Sequence, residues 1–169
     1  MKLDLFSRLP GSSQADQERQ LVEARIEDVR YGFDIMSVSE IVTPRRLIPV
    51  PGALPQVIGV ADHRERVVPV VDLRRCLKLE TGDGVRAKWV IVNSAGTDTA
   101  VLVDRVIGVI VVKARDRRER HPLMSGVDTQ WIREVYGQGG GLVFEIDLAA
   151  VTGGAREAVA QALAAKGEP

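Results

Sequence analysis

Between positions 20 and 146 the chain is a series of short runs in which apolar residues alternate with polar ones or crowd together, each run ended by turn-forming residues. Leu21–Ile26 leads through Glu27-Asp28 into Val29–Ile35. There Val29, Tyr31, Phe33 and Ile35 share one face at the period of two that a half-buried strand requires. Met36–Val42 spaces its apolar residues at a helical interval and predicts a helical turn ending before Pro44. Ile48-Pro-Val-Pro-Gly52 and Pro55 read as a connection. Val57–Ala61 and Val67–Val71 predict two strands meeting at the charged tip Asp62-His-Arg-Glu-Arg66, with Pro69 marking an edge or a bulge. Lys88–Val92 and Ala100–Val103 pair across Ser94–Thr97, Val106–Val112 is a further strand, and Trp131–Tyr136 and Leu142–Ile146 bracket the glycines 139–141. The alanine-rich tail from Ala155 to Lys166 places Val159, Ala162 and Leu163 on one face and predicts a terminal helix. No internal repeat is evident in the residues. Many short, evenly spaced strands with few helices predict a mainly β protein built on closed barrels.

Composition agrees with that pattern. Twenty-five of the 169 residues are valine, a type that suits pleated sheets and loses rotamer freedom in helices. The chain is long enough for one domain or two small subdomains around a common core, without disulfides or metal. Residues 1–19 are polar and predict a flexible lead-in, 20–152 the folded domain, and 153–169 a C-terminal helix and tail. The N-terminus mixes acid and base where a targeting segment would be apolar, and no run reaches membrane-spanning length, so a cytoplasmic protein without membrane insertion is expected.

Charge and chemistry narrow the function. Lys+Arg and Asp+Glu both number 23, which leaves no global field for nucleic acid. The basic concentration is Lys113-Ala-Arg-Asp-Arg-Arg-Glu-Arg-His121, five fixed cations against Asp116 and Glu119. It reads as a solvated loop, and a small nucleic-acid-binding barrel using it and Arg64/Arg66 is the competing class. Seven aromatic residues are too few for a base-stacking surface. A single cysteine, Cys76, and two distant histidines, His63 and His121, exclude a disulfide framework and show no metal-ligand spacing. Cys76 reads as a small buried hydrophobe. Asp72 and Asp104 follow strand ends and read as turn caps, an acid–base role needing a positioned partner. No catalytic residue, cofactor or metal is expected.

Two stretches carry more than composition does. Tyr31-Gly-Phe-Asp-Ile-Met-Ser-Val-Ser-Glu-Ile41, followed by Ile58-Gly-Val-Ala-Asp-His-Arg-Glu-Arg-Val-Val-Pro-Val-Val-Asp-Leu-Arg74, resembles the CheW family of chemotaxis coupling proteins. Leu102-Val-Asp-Arg-Val-Ile-Gly-Val109 and Leu142-Val-Phe-Glu-Ile-Asp-Leu148 are similar to two later family segments, in the family's order. The resemblance implies two intertwined five-stranded SH3-like barrels with short helices. It implies an adaptor joining the cytoplasmic tip of a chemoreceptor to the regulatory domain of a CheA-type histidine kinase. It further implies that the receptor lies against a groove bordered by the first barrel, with Val38, Glu40, Ile41, Arg64, Val103 and Val106 as the matching positions. Where the family has Asn-Leu-Arg-Gly, this chain has Asp62-His63-Arg64-Glu65. That tip adds Asp62, His63 and Glu65 as candidate contacts, leaves a module binding only the receptor side as an alternative, and suggests a pathway such as one governing gliding or twitching motility.

Overall fold

The structure of the protein is a computed structural model that describes residues 14–80, 82, 86–119 and 129–167. Most of the expected lead-in, part of the 81–84 loop, and Arg120 and His121 of the basic stretch therefore lie outside the described residues. Ten strands carry the fold: β1 (Glu18–Ile26), β2 (Val29–Asp34), β3 (Val38–Val42), β4 (Val57–His63), β5 (Arg66–Asp72), β6 (Lys88–Ser94), β7 (Thr97–Val103), β8 (Arg105–Lys113), β9 (Ile132–Gln138) and β10 (Gly141–Ile146). Among the described residues three α-helices accompany them, α1 (Leu73–Cys76), α2 (Leu148–Thr152) and α3 (Ala155–Gly167). β1 opens at Glu18, inside the segment expected to be flexible.

The strands form two five-stranded sheets, ordered β8-β1-β2-β10-β9 and β3-β6-β7-β5-β4. Each closes into a barrel through the segment that follows its first strand in that order. In barrel 1 this is the bridge between Arg117 and Tyr136; in barrel 2 it is Ile48 with Val60, joined by backbone bonds of 2.8 and 2.9 Å. The two sheets are the same diagram read twice. β1–β5 and β6–β10 are equivalent halves, and each gives a hairpin to one barrel and three strands to the other. The parallel pairings β10 with β2 and β5 with β7 are the joints of this exchange. So a structural repeat exists although none is evident in the residues. Its surviving trace is Asp72-Leu73 and Asp147-Leu148, where each aspartate caps the short helix after its half, bonding the amide of Arg74 at 3.0 Å and of Ala150 at 3.1 Å.

Both faces of the central strands are buried, which is why Trp89-Val-Ile-Val92 is continuously apolar. Trp89 and Ile91 point into barrel 2 with Ala61, Val70 and Ala100. Val90 and Val92 point the other way, into a core shared by the two barrels with Ala24, Ile26, Phe33, Val101 and Val103. Pro69 sits in an interior strand, but the ladder to β7 starts at Val70, one residue later, so its missing N–H breaks no parallel bond. Cys76 is buried in α1 as expected.

Two sequence expectations fail locally. Met36–Val42 is a 3-10 turn over Ile35–Ser37 and then strand β3. A bulge between Val38 and Glu40 puts Val38 and Ile41 on one face at a spacing of three, which imitates helical periodicity. In α3 Ala155 and Ala158 are buried and Val159 and Ala162 half-buried, so of the expected face only Leu163 is exposed. The helix lies over the outer side of β4 and β5.

Barrel 1 encloses an apolar cluster of Leu21, Val112, Tyr136 and Val143 together with buried polar groups. Glu145 is fully buried and accepts bonds from the Tyr136 hydroxyl (3.1 Å) and Arg19 (2.8 Å), whose guanidinium also reaches Asp34 (2.8 Å). Burial pushes the Glu145 carboxyl above its ordinary value of 4.5, against the pull of Arg19 and Tyr136. A carboxyl raised by folding contributes stability that is full below its unfolded pKa and is lost as pH rises through the folded one. Glu145→Gln cannot titrate, so its stability relative to wild type should improve as pH rises above the ordinary carboxyl value of 4.5. Thermal melts of both proteins above that pH check this. A difference that stays flat with pH would show that the buried carboxyl folds at no cost in its charged form.

Candidate interaction surfaces

The residues expected to form one groove are divided by strand β3. Partners across an antiparallel ladder share a face. Val38 pairs with Val92 and Ile41 with Val90, both in the shared core, so these two side chains face the gap between the barrels. Glu40 pairs with Ile91, which lines the inside of barrel 2, so it projects from the opposite face. Val103 is 2% exposed and belongs to the shared core, so its side chain presents no surface to a partner. Val106 is half-buried against the same core. Arg64 and Glu40 belong to barrel 2 and Val106 to barrel 1, so no single barrel borders them all.

The first surface is apolar. On β8, the edge strand of barrel 1, Ile107, Val109 and Val111 are 52, 56 and 42% exposed. Val109 and Val111 pair with Val22 and Gln20, and Val22 is buried in the shared core. The face that forms the core thus runs on past it into solvent. β3 is the equivalent edge of barrel 2, and there Ile41 and, just before the strand, Met36 are exposed. The run Val106–Val112 is legible as a strand in sequence. That it is an edge strand, leaving alternate valines bare, depends on the exchange of strands between halves.

The second surface is charged. His63 is buried, and its Nε2 lies 3.1 Å from Oε2 of Glu40. The guanidinium of the exposed Arg64 reaches the same oxygen at 3.2 Å. These contacts tie β3 to the tip of the β4–β5 hairpin. A cavity of about 430 Å³ opens beside them, bordered also by Arg66 and Asp98. Arg64 and Glu65 form a two-residue turn with φ of 51° and 62°, so the position that is glycine in the family keeps its left-handed backbone without one. Asp62 points elsewhere, towards an apolar groove of about 370 Å³ beneath α3.

The remaining candidates are structural. Asp104 accepts the Glu27 amide at 2.7 Å and a two-pronged contact from Arg74, Nε to Oδ1 at 3.0 Å and the second nitrogen to Oδ2 at 2.5 Å. Arg74 also donates to the Glu80 carbonyl (2.9 Å) and to Glu27 (3.3 Å). The basic stretch is partly neutralised, Lys113 by Glu18 and Arg115 by Asp16, while Arg118 donates to backbone carbonyls. Among the described residues no three His, Cys, Asp or Glu side chains are placed to hold a metal, and no helix is long and apolar enough to cross a membrane.

Comparison with known proteins agrees with this geometry. Residues 20–155 match the model of the CheW-like domain. The chain is 30% identical to the chemotaxis protein CheW of Treponema pallidum, over 79% of its own length and 81% of that protein. It is 30% identical to the protein FrzA of Myxococcus xanthus, over 62% of its length and 66% of the relative. Among solved structures, the scaffolding protein TtCheW of Thermoanaerobacter tengcongensis superposes with a TM-score of 0.71, covering 78% of this chain and 90% of that one at 22% identity, and so shares the SH3-like fold.

Proposed function

The chain belongs to the CheW-like family, and on that premise we propose that it is a non-catalytic adaptor coupling the cytoplasmic tip of a chemoreceptor to the regulatory domain of a CheA-type histidine kinase. One observation carries the reading: large apolar residues are exposed along β8, on the face that continues the shared core, and on its counterpart β3, while Val106 and Val38 of these strands pack on that core. Exposed apolar surface grouped in this way marks a partner site rather than ordinary exposure. Val109, Val111 and Ile41 fit the apolar face of a receptor element laid between the two edge strands, and Val38 and Val106 support them from below. The charged tip of barrel 2 lies on the other side of β3, so a second partner can bind at the same time. A change in how the receptor sits then reaches the kinase through one rigid β unit. The protein works in the cytoplasm, in a chemosensory pathway such as one governing gliding or twitching motility.

Calorimetric titration of the folded protein with a receptor-tip fragment and with the kinase regulatory domain, both from the same organism, tests this. Micromolar binding to each is expected. Val109→Asp should weaken receptor binding at least about tenfold, the equivalent of 1.4 kcal/mol, and leave kinase binding unchanged. A folded wild-type protein that binds neither fragment would overturn the adaptor reading. If it binds the receptor tip alone, the module serves the receptor side only.

A further inference from the structure

The two equivalent halves differ where each short helix meets the turn of a neighbouring hairpin. In the first half large side chains fill this place. Arg74, the second residue of α1, reaches Glu27 in the β1–β2 turn at 3.3 Å and also holds Asp104. Tyr31, the third residue of β2, is buried beside them, its hydroxyl pushed up to about 12 by burial and then by Glu27. In the second half the corresponding positions carry small residues. Ala149 is the second residue of α2 and Thr99 the third of β7. Ala95 opens the β6–β7 turn, where its φ of 50° matches the 54° of Glu27. These three residues line a cavity of about 220 Å³.

The chemistry around that cavity is one-sided. Arg156 stands at its rim and donates to the carbonyls of Ser94 and Ala95 at 3.2 and 2.6 Å, both bonds from a single guanidinium nitrogen. Arg74 meets two carboxylates, whereas Arg156 meets none among the described residues, and no carboxylate lines the cavity. The 13-residue α3 begins at Ala155, so the positive end of its dipole lies at the same rim. A second observation comes from inside. Thr99 is 1% exposed and pairs across the ladder with Val92 of the shared core, yet its hydroxyl has no hydrogen-bond partner among the described residues. Buried hydroxyls are ordinarily bonded. Thr97, two residues earlier on the same face, offers another hydroxyl nearer to solvent. Thr152 does not, because it donates its proton to the Leu148 carbonyl at 2.7 Å.

We infer that this cavity binds a small oxyanion, the phosphate or carboxylate group of a small molecule, held by Arg156 at the rim and by the Thr97 and Thr99 hydroxyls within. The anion gives Arg156 what Glu27 and Asp104 give Arg74 in the other half. The remaining nitrogens of a planar guanidinium match either head group. Volume sets the size class: the cavity is smaller than the ~300–1,000 Å³ of sites for drug-sized ligands, so the head group carries few further atoms. Bound there, it joins the β6–β7 turn of barrel 2 to α2 and α3 and so governs how firmly the C-terminal helix is held. The site shares no residue with the β8 and β3 surface or the β4–β5 tip, and it stands independently of the adaptor reading.

Titration of the full-length protein with inorganic phosphate and, separately, with acetate at fixed ionic strength tests this, read by calorimetry and by amide chemical shifts. Wild type should bind at least one of the two with a Kd below about 1 mM, with shifts centred on Thr97, Thr99 and Ala155. The tighter probe names the head group. Thr99→Val keeps the side-chain shape and the Arg156 tether but removes the buried hydroxyl, and should weaken binding at least about tenfold. Arg156→Gln removes the cation from the exposed rim and should weaken it at least as much. Arg115→Gln, which removes an exposed cation from the basic stretch, should bind as wild type does. Weaker wild-type binding of both anions, binding equal in all four proteins, or shifts centred on the basic stretch would each overturn the inference.

Discussion

Val68→Asp should abolish the cooperative fold. Val68 is buried in β5 and pairs with Ala61, so it shares the face that fills barrel 2 alongside Val70, Trp89 and Ile91. An aspartate there is set beside the apolar cluster of Ala61, Val70, Trp89 and Ile91 with no cation placed to pair with it in that cluster. An unpaired polar group in such a place costs about 2–7 kcal/mol and a charge more, and the lost valine burial adds about 1.5–3. Single domains are stable by about 5–15 kcal/mol, so the substitution consumes most or all of the margin. Because barrel 2 contributes Val57, Val71, Val90 and Val101 to the shared core, barrel 1 should melt with it. Circular dichroism and a thermal melt decide the matter. An unchanged melting temperature would mean that β5 is not core.

Arg74→Ala should be the next most damaging change and acts through a clamp rather than through packing. Arg74 lies in α1 after the last strand of the first half, Asp104 in the β7–β8 connection, and Glu27 in the β1–β2 turn. One guanidinium thus ties the two barrels and the two halves together. Truncation leaves the Asp104 carboxylate and the Glu80 carbonyl without this donor. Removing one partner of a buried pair costs about 3–5 kcal/mol, and the partial exposure of Asp104 lowers that to roughly 2–4. For a chain of this length the melting temperature should fall by roughly 4–16 °C. Arg74→Lys should recover only part, since an ammonium cannot make the two-pronged contact. A fall below about 2 °C for the alanine variant would show that the clamp is ornamental.

The same clamp explains how far the residues alone could be read. Pro69-Val-Val-Asp-Leu-Arg74 and Leu102-Val-Asp-Arg105 stand out as family motifs, yet nothing along the chain says that their Arg74 and Asp104 meet. Hairpins were legible because local turn chemistry and alternation specify them: Ser94–Thr97, the 139–141 glycines and even the glycine-free tip all close where expected. The exchange of strands was not legible, because parallel contacts between β5 and β7 or β10 and β2 depend on long-range pairing that leaves no periodic trace. Family resemblance supplied what periodicity could not. Errors at single residues had local causes. The bulge in β3 gave strand residues a helical spacing, and Val103, a position carried over from the family, is buried in the shared core. In α3 alanines form the buried face, and alanine carries too little hydrophobicity to mark it.

The two interchanged halves also set what the smallest folding piece can be. Separating the chain between Glu80 and Lys88 yields one fragment with β1–β5 and another with β6–β10, and neither holds all five strands of either sheet. A half-length polypeptide built on this pattern would close no barrel as a monomer and two barrels as a symmetric pair. The present protein is in that sense a dimer written on a single chain, with the stretch between Glu80 and Lys88 as the tether that makes its two members inseparable.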